Sequence, residues 1–246
     1  MNYNIKADLT GYTGRKRYNM RRNESYRVFG IDLSKWQKGF DFAKAKKEGV
    51  CFAILRAMYH YTPDSCFEEF YQKAKENNIG VGCYLYSTAR NTVQARIEAE
   101  KLYNFIKGKH FEYPIYFDIE DKIHRGFTKS ENTEIIKTFC DYMESKNYYV
   151  GIYSFESFFK TFTWLDKLTM YDKWIAKWCQ KDNITIPRGM WQFGGETNLI
   201  RPKRVSNIKI VDQNYCYKDY PTIMKNNKLN GYNTPGDLQF HIEWRR

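Results

Sequence analysis

Eight short apolar runs, spaced along the chain, constrain its fold more than any other feature. They are VFGIDL at 28–33, CFAILRA at 51–57, GVGCYLYS at 80–87, PIYFDIE at 114–120, YVGIYS at 149–154, WIAKW at 174–178, GMWQF at 189–193 and IKIVDQN at 208–214. Stretches with helical periodicity fill most of the early gaps, at 41–49, 66–78, 91–107 and 130–146. Short strands that alternate with helices are typical of βα units closing into a parallel sheet or a barrel.

The gaps after residue 178 are too short or too polar for crossover helices. We therefore predict an α/β fold, an irregular TIM-like β/α barrel with helices missing in the last third. A chain of 246 residues is long enough to form one such barrel as a single domain. We divide it into a basic N-terminal arm at 1–27, a barrel at 28–217 and a C-terminal tail at 218–246.

The net charge of +12 favours an anionic partner, which by itself could be nucleic acid, a membrane surface or an acidic cell wall. No RNA- or DNA-binding motif that interleaves aromatic and basic residues is recognisable, so we expect no nucleic-acid partner. No window approaches the roughly 18 apolar residues of a membrane span, and the polar N-terminus lacks the apolar core of a secretory signal. We expect synthesis in the cytoplasm without a signal peptide.

The cysteines and histidines do not form a metal-binding pattern. The six cysteines are scattered singly, without a CxxC pair, and we interpret them as reduced thiols. The four histidines are dispersed, with no carboxylate or cysteine at ligand spacing. We therefore predict neither a metal nor a cofactor.

Acidic residues stand where three of the predicted strands end. In PIYFDIE, strand alternation puts Asp118 and Glu120 on one face and the apolar residues on the other. Asp32 ends the first strand and Asp212 lies at the end of the last, and these strands become neighbours when a barrel closes. An isolated DxE is more often a helix cap or a surface charge, but three converging strand ends predict an acidic site at the C-terminal mouth.

Aromatic side chains stand on or beside other strand ends. They are Trp36, Tyr84, Tyr86, Tyr153, Trp178 and Trp191. Together with the acids they predict a cleft that has an acidic floor and aromatic walls, suited to a flat ligand such as a sugar or a base.

The eight runs, in this order and spacing, resemble the glycoside hydrolase family 25 lysozymes. These are muramidases of bacteria, fungi and phages, and they include many phage endolysins. The resemblance covers about residues 28–217. It implies an irregular β/α barrel that cleaves the β-1,4 bond between N-acetylmuramic acid and N-acetylglucosamine in peptidoglycan, with retention of configuration.

Residue by residue, the resemblance makes Glu120 the general acid/base. Asp118 becomes the partner that either assists attack by the substrate's own N-acetyl oxygen or attacks the anomeric carbon directly. Asp32 and Asp212 match the two other acids of the family's site. The substrate-binding residues are expected to be these two acids with Tyr84, Tyr86, Tyr153, Trp178, Trp191 and Gln192.

The function expected from the sequence is therefore peptidoglycan hydrolysis in bacterial cell-wall lysis, as in a phage or prophage endolysin. The basic surface is expected to bind anionic wall polymers. The alternative is a barrel that binds cell-wall glycan and has lost catalysis.

Overall fold

The chain forms a closed eight-stranded barrel. The computed structural model describes residues 26–195, 205–206 and 211–232. The strands are β1 Val28–Leu33, β2 Phe52–Tyr59, β3 Thr62–Pro63, β4 Gly80–Tyr86, β5 Ile115–Asp118, β6 Val150–Phe155, β7 Asp172–Ala176, β8 Met190–Gly194 and β9 Asp212–Cys216. Hydrogen bonds run in the order β1-β9-β8-β7-β6-β5-β4-β2, and β1 also pairs with β2, which closes the ring. The short β3 forms a hairpin with the end of β2.

The described residues form six α-helices, of which all but the last lie in the first two thirds of the chain. They are α1 Phe42–Lys47, α2 Phe67–Glu76, α3 Thr92–Ile106, α4 Lys129–Ser145, α5 Glu156–Phe162 and α6 Tyr220–Asn226. The four helices expected from periodicity correspond to α1–α4, and α4 begins at a capping box in which Thr128 and Glu131 satisfy each other's backbone amides. No helix is present between β7 and β8. The predicted irregular α/β barrel is thus confirmed.

The direction of the last strand differs from the expectation. A parallel strand at 208–214 was predicted, whereas β9 begins at Asp212 and runs antiparallel to both β1 and β8; residues 207–210 lie outside the described part of the chain. An antiparallel neighbour needs no crossover helix, which explains why this region carries no helical pattern. Asp212 consequently lies at the start of its strand, not at its end.

Strand alternation separates the barrel interior from the helix-facing layer. On β5, Phe117 stacks on Phe139 of α4 at a centroid distance of 4.3 Å, whereas Tyr116 points inward and packs against Trp174. Below the C-terminal mouth, the barrel interior is filled by large aromatic side chains. Helix α6 packs on this cluster through Tyr220 and Met224, both fully buried.

Part of the segment predicted as a tail is therefore packed against the barrel. Residues 218–232 belong to this packed region, and 233–246 lie outside the described residues, as does the predicted basic arm apart from residues 26–27. The division into arm, barrel and tail stays a prediction. None of the six cysteines, all within the described residues, is in a disulfide. Within the same residues, no helix combines the length and apolarity that crossing a bilayer requires.

Candidate active site

A cleft of about 620 Å³ opens at the mouth of the barrel, where the parallel strands end. Every barrel strand, or the loop that directly follows or precedes it, contributes a side chain. The lining residues are Asp32, Leu33, Ser34, Trp36, Gln37, Arg56, Tyr84, Tyr86, Asp118, Glu120, Tyr153, Trp174, Trp178, Gln192, Val211 and Asp212. The acids predicted from three separate strands therefore share one cavity, as expected for the C-terminal face of a barrel.

Asp118 is the last residue of β5 and is only 3% exposed. Its Oδ1 atom has no hydrogen-bond partner among the described residues. Burial raises the pKa of this carboxyl well above its ordinary value, and the nearby charges of Glu120 and Asp32 raise it further. Asp118 therefore presents a buried carboxyl oxygen that no donor of the described residues satisfies.

Glu120 lies two residues after Asp118, beyond the end of the strand, and is half-buried in the cleft. Burial raises its pKa to about 7, with a further contribution from Asp32, while Arg125 opposes the shift. Since a carboxyl with this pKa is partly protonated near neutral pH, it can donate a proton to a bound ligand. Asp118 and Glu120 influence each other's ionisation, so near neutral pH the proton belongs to the pair.

Asp32, at the mouth end of β1, is held by two amide groups. Gln192 donates from Nε2 to its Oδ2 over 3.0 Å, and Asn214 donates from Nδ2 over 2.8 Å. Burial raises the pKa of Asp32 to about 6, although these two hydrogen bonds lower it. The donors fix the position of one carboxylate oxygen at the cleft floor.

Indole and phenol groups determine how these amides are oriented. Trp174 donates from Nε1 to Oδ1 of Asn214 over 2.7 Å. Trp178 and Tyr153 both donate to Oε1 of Gln192, over 3.1 and 2.9 Å. Because an indole N–H can only donate, each amide oxygen must face its tryptophan and each NH₂ must face Asp32. The network therefore holds Asp32 as an acceptor.

Asp212 faces Asp32 across the closing strand pair. The two are Cα partners in the β1–β9 register, and both line the cleft. Burial raises the pKa values of Tyr84 and Tyr153 well above the ordinary value, and the surrounding acids raise them further. Both phenols therefore remain neutral; Tyr84 can donate a hydrogen bond to a ligand, whereas the proton of Tyr153 is donated to Gln192.

The structure does not bring Trp191 to the cleft. On β8, alternation directs Gln192 inward and Trp191 outward, where it is 4% exposed and packs beside Phe193 and Tyr215. Its Nε1 donates to the carbonyl of Lys177 over 2.7 Å. The other predicted site residues, Asp32, Tyr84, Tyr86, Asp118, Glu120, Tyr153, Trp178, Gln192 and Asp212, all line the cavity.

Three site residues were missed in the sequence. Arg56 lines the cleft and pairs with the buried Asp64 through Nε and Nη2, both at 2.7 Å. It shares a strand face with Phe52 and Ile54 of the interior, so an arginine on the inward face of an apolar strand was the available signal. Trp174 and Asn214 carried no signal, because tryptophan and asparagine in strands are ordinarily read as packing and turn residues.

Among the described residues, no group of three or more His, Cys, Asp or Glu side chains is arranged to hold a metal ion. The groups that the cleft presents to a ligand include its carboxyl pair, the acceptor Asp32 and neutral phenols.

Comparison with known proteins places these features in a family. A family model described as Glycosyl hydrolases family 25 matches residues 31–200. The autolytic lysozyme of Clostridium acetobutylicum is 27% identical over 159 residues, which is 64% of this chain and 46% of that protein. The chain thus spans less than half the length of this relative.

Solved structures share the fold. The catalytic domain of endolysin ply40 from bacteriophage P40 of Listeria monocytogenes aligns with a TM-score of 0.65 at 24% identity, covering 85% of this chain and 100% of that one. The modular autolysin LytC of Streptococcus pneumoniae, solved with a synthetic peptidoglycan ligand, aligns with a TM-score of 0.66 at 22% identity, covering 79% and 48%. Because the family model matches most of the barrel, the chain belongs to glycosyl hydrolases family 25, as its motifs predicted.

Proposed function

We propose that the protein is a lysozyme that hydrolyses the β-1,4 bond between N-acetylmuramic acid and N-acetylglucosamine in peptidoglycan. The observation that carries the proposal is the coupled carboxyl pair Asp118–Glu120 in an acid-floored cleft, with the pKa of Glu120 raised to about 7. Glycosidic bond cleavage needs one group that protonates the leaving oxygen and one that stabilises positive charge on the sugar ring. Membership of a glycosidase family supports the same chemistry.

Glu120 is the general acid in this proposal. It is the more accessible member of the pair and can reach the glycosidic oxygen, whereas Asp118 is 3% exposed. Proton transfer from Glu120 breaks the bond between the anomeric carbon and the leaving sugar. Glu120, now ionised, then takes a proton from the water that opens the intermediate, and so regains its starting state.

Asp118 is the partner on the opposite side of the developing charge. As an anion it either attacks the anomeric carbon or accepts a hydrogen bond from the substrate's N-acetyl N–H, so that the acetyl oxygen attacks instead. Its Oδ1, which has no donor among the described residues, suits either role. Both routes pass through an intermediate closed on one face and opened by water from the other, so both retain the anomeric configuration.

The other cleft residues bind and orient the glycan. Asp32 and Asp212 accept hydrogen bonds from sugar hydroxyl or amide groups, and Asp32 raises the pKa of Glu120 by its negative charge. The side chains assigned to contact with the sugars on either side of the scissile bond are Tyr84, Tyr86, Tyr153, Trp178 and Gln192.

The site of action in this proposal is the bacterial cell wall, during lysis of the phage or prophage type. The family relatives described as an endolysin and as an autolytic lysozyme support it. The net charge of +12 would hold the enzyme on wall polymers rich in phosphate.

The test compares wild type with Glu120→Gln, which keeps the shape and removes the acid. We expect the variant to clear peptidoglycan suspensions about 10²–10⁴-fold more slowly. Glu134→Gln, an exposed residue of α4 outside the cleft, is the matched control and should act like wild type. Mass analysis of the wild-type digest should find new reducing ends on muramic acid; ends on glucosamine, or free peptides only, would contradict the proposed bond. Glycan binding with no new reducing ends would instead favour a binding barrel.

A further inference from the structure

An exposed tyrosine, Tyr59, stands on the rim of the cleft and has no part in the proposed chemistry. It is the last residue of β2 and is 48% exposed. Its ring stacks on Tyr86, with centroids 5.1 Å apart and planes 14° from parallel. Tyr86 lines the cleft. The aromatic surface of the cleft therefore continues outward across its rim.

The strand register places Tyr59 close to the carboxyl pair. Tyr59 is the Cα partner of Tyr86, and Tyr86 is the Cα partner of Asp118. Neighbouring strands lie about 4.7–4.9 Å apart, so the backbone of Tyr59 lies roughly 10 Å from that of Asp118. This is near enough for one extended ligand to contact both.

A β-bulge directs Tyr59 to the cleft side. The register between β2 and β4 shifts between Arg56 and Met58, which adds Ala57 to β2. Arg56 faces the cleft, while Ala57 and Met58 are buried in the helix-facing core. With strict alternation, Met58 would face the cleft and Tyr59 would face away. The extra residue reverses this, and bulges beside active sites commonly re-aim a side chain in this way.

The turn after Tyr59 is held by a polar pair, His60 and Glu98, whose acidic member is buried. His60 has a φ of 49°, an uncommon conformation for a residue other than glycine. Its Nδ1 lies 2.7 Å from Oε1 of Glu98, which is fully buried and also accepts from Ser87 over 2.6 Å. The backbone N–H of His60 donates to the carbonyl of Tyr86 over 2.7 Å. These contacts fix the end of β2 against the end of β4, so Tyr59 is presented in a set position.

We infer that Tyr59, backed by Tyr86, is a stacking surface for a further sugar ring of the glycan strand whose scissile bond lies in the cleft. Tyr86 covers one face of the Tyr59 ring, so the exposed surface belongs to the opposite face and the edge. The apolar face of a pyranose packs on such a ring, and a rigid aromatic provides contact area at low entropic cost. The inference rests on the proposed function, because a polymeric glycan is the ligand that must continue across the rim.

The test measures binding in the Glu120→Gln background, so that the ligand is not cut. Titration calorimetry would compare long peptidoglycan glycan strands with short muropeptide oligosaccharides. We expect Tyr59→Ala to bind long strands about threefold to tenfold more weakly, with a smaller loss for short ones. Tyr59→Phe keeps the ring and should bind like its parent. Trp164→Ala removes another exposed aromatic, 45% exposed and outside the cleft lining, and should also bind like the parent.

The outcomes separate this inference from the proposed function. Equal losses for short and long ligands, or no loss on Tyr59→Ala in a variant that melts like its parent, would overturn the stacking role. A parent that binds no glycan would overturn it as well. The proposed function is tested separately by mass analysis of the wild-type digest. It would be contradicted if no new reducing ends on muramic acid were found.

Discussion

Two buried aspartates, at opposite ends of the same barrel, have pKa values that are shifted in opposite directions. Asp172 at the base of β7 is 0% exposed and accepts hydrogen bonds from Lys218 over 2.8 Å, Tyr220 over 2.7 Å and Tyr149 over 2.9 Å. Burial by itself would raise its pKa, but the Lys218 ammonium and these donors outweigh it, so the pKa lies below the ordinary value. Asp118 at the mouth is 3% exposed, and its pKa lies well above the ordinary value.

The difference shows that burial alone does not set the pKa of an acid in this barrel, because a neighbouring ammonium together with hydrogen-bond donors reverses the shift at Asp172. At the base, protein donors and the Lys218 ammonium compensate the buried carboxylate of Asp172. This carboxylate therefore remains an anion that stabilises the fold. At the mouth, the buried Asp118 and the half-buried Glu120 lie beside other acids, and one oxygen of Asp118 has no donor among the described residues. Ionising the mouth acids costs folding free energy, which is expected where a site is organised for a ligand.

An Asp→Asn substitution at each of these two positions should have opposite effects on stability and activity. Asp172→Asn should destabilise the protein by about 3–5 kcal/mol, because it leaves the buried Lys218 ammonium without its carboxylate. Chemical denaturation at neutral pH measures the loss. Activity per folded molecule should be unchanged, since Asp172 does not line the cleft. Wild-type stability in the variant would show that the base network adds nothing.

Asp118→Asn should produce the reverse pattern. We expect peptidoglycan hydrolysis to fall about 10²–10³-fold, because an amide can neither attack the anomeric carbon nor stabilise positive charge as an anion does. Stability at neutral pH should be equal to or greater than that of wild type, since an ionised buried group is removed. A large loss of stability together with activity would mean that Asp118 is a structural residue like Asp172.

The smallest expected effect is on the pH dependence of stability, to which Glu120 and Asp172 contribute with opposite sign. The pKa of Glu120 is raised from 4.5 to about 7, so the stability that its protonated form contributes is lost as pH rises through that interval. Glu120→Gln should therefore match wild type at pH 4 and exceed it above pH 7 by about 1–2 kcal/mol, allowing for partial solvent exposure. The sign is opposite for Asp172, whose lowered pKa contributes stability above the ordinary value of 3.8 that is lost towards acid.

Thermal melting of wild type and Glu120→Gln across this pH range measures the effect. A shift of about 2–4 °C is expected for each kcal/mol. A constant difference at all pH values would contradict the assignment of the raised pKa to Glu120.

Much of the fold was predictable, because the strands combine apolar runs with turn residues. Each of the eight predicted runs overlaps a strand. The predicted run for β7, 174–178, begins two residues after the strand itself. The first two residues of the strand, Asp172 and Lys173, are buried charged residues, which do not indicate a strand in the sequence. Helices α5 and α6 were missed: α5 has seven residues directly after a strand, and α6 has seven within a stretch rich in turn residues.

The positions of the site residues were predictable where strand alternation and the location of strand ends determine which side chains face the cleft. Asp118, Glu120, Asp32 and Asp212 all reach the cleft, although Asp212 does so from the start of an antiparallel strand. Trp191 was wrongly placed, because its neighbour Gln192 holds the inward position and a tryptophan beside a strand end is not informative about its face. The stacked Tyr59 could not be foreseen, since a one-residue bulge changes which face a side chain occupies and leaves no mark in an apolar sequence.

The antiparallel last strand also bears on how this scaffold can be altered. The chain leaves the barrel mouth at the end of β8 and re-enters it at the mouth with Asp212, so the connection starts and finishes on the same side. In a βα unit the connection must return the chain to the far end of the barrel. The connection between β8 and β9 does not cross the barrel in this way, because β9 is antiparallel to β8. Because both strand ends that it joins lie at the mouth, a change in the length of the connection would leave the strand order of the barrel unchanged. The described residues within it, Val205 and Ser206, are buried and would have to be kept.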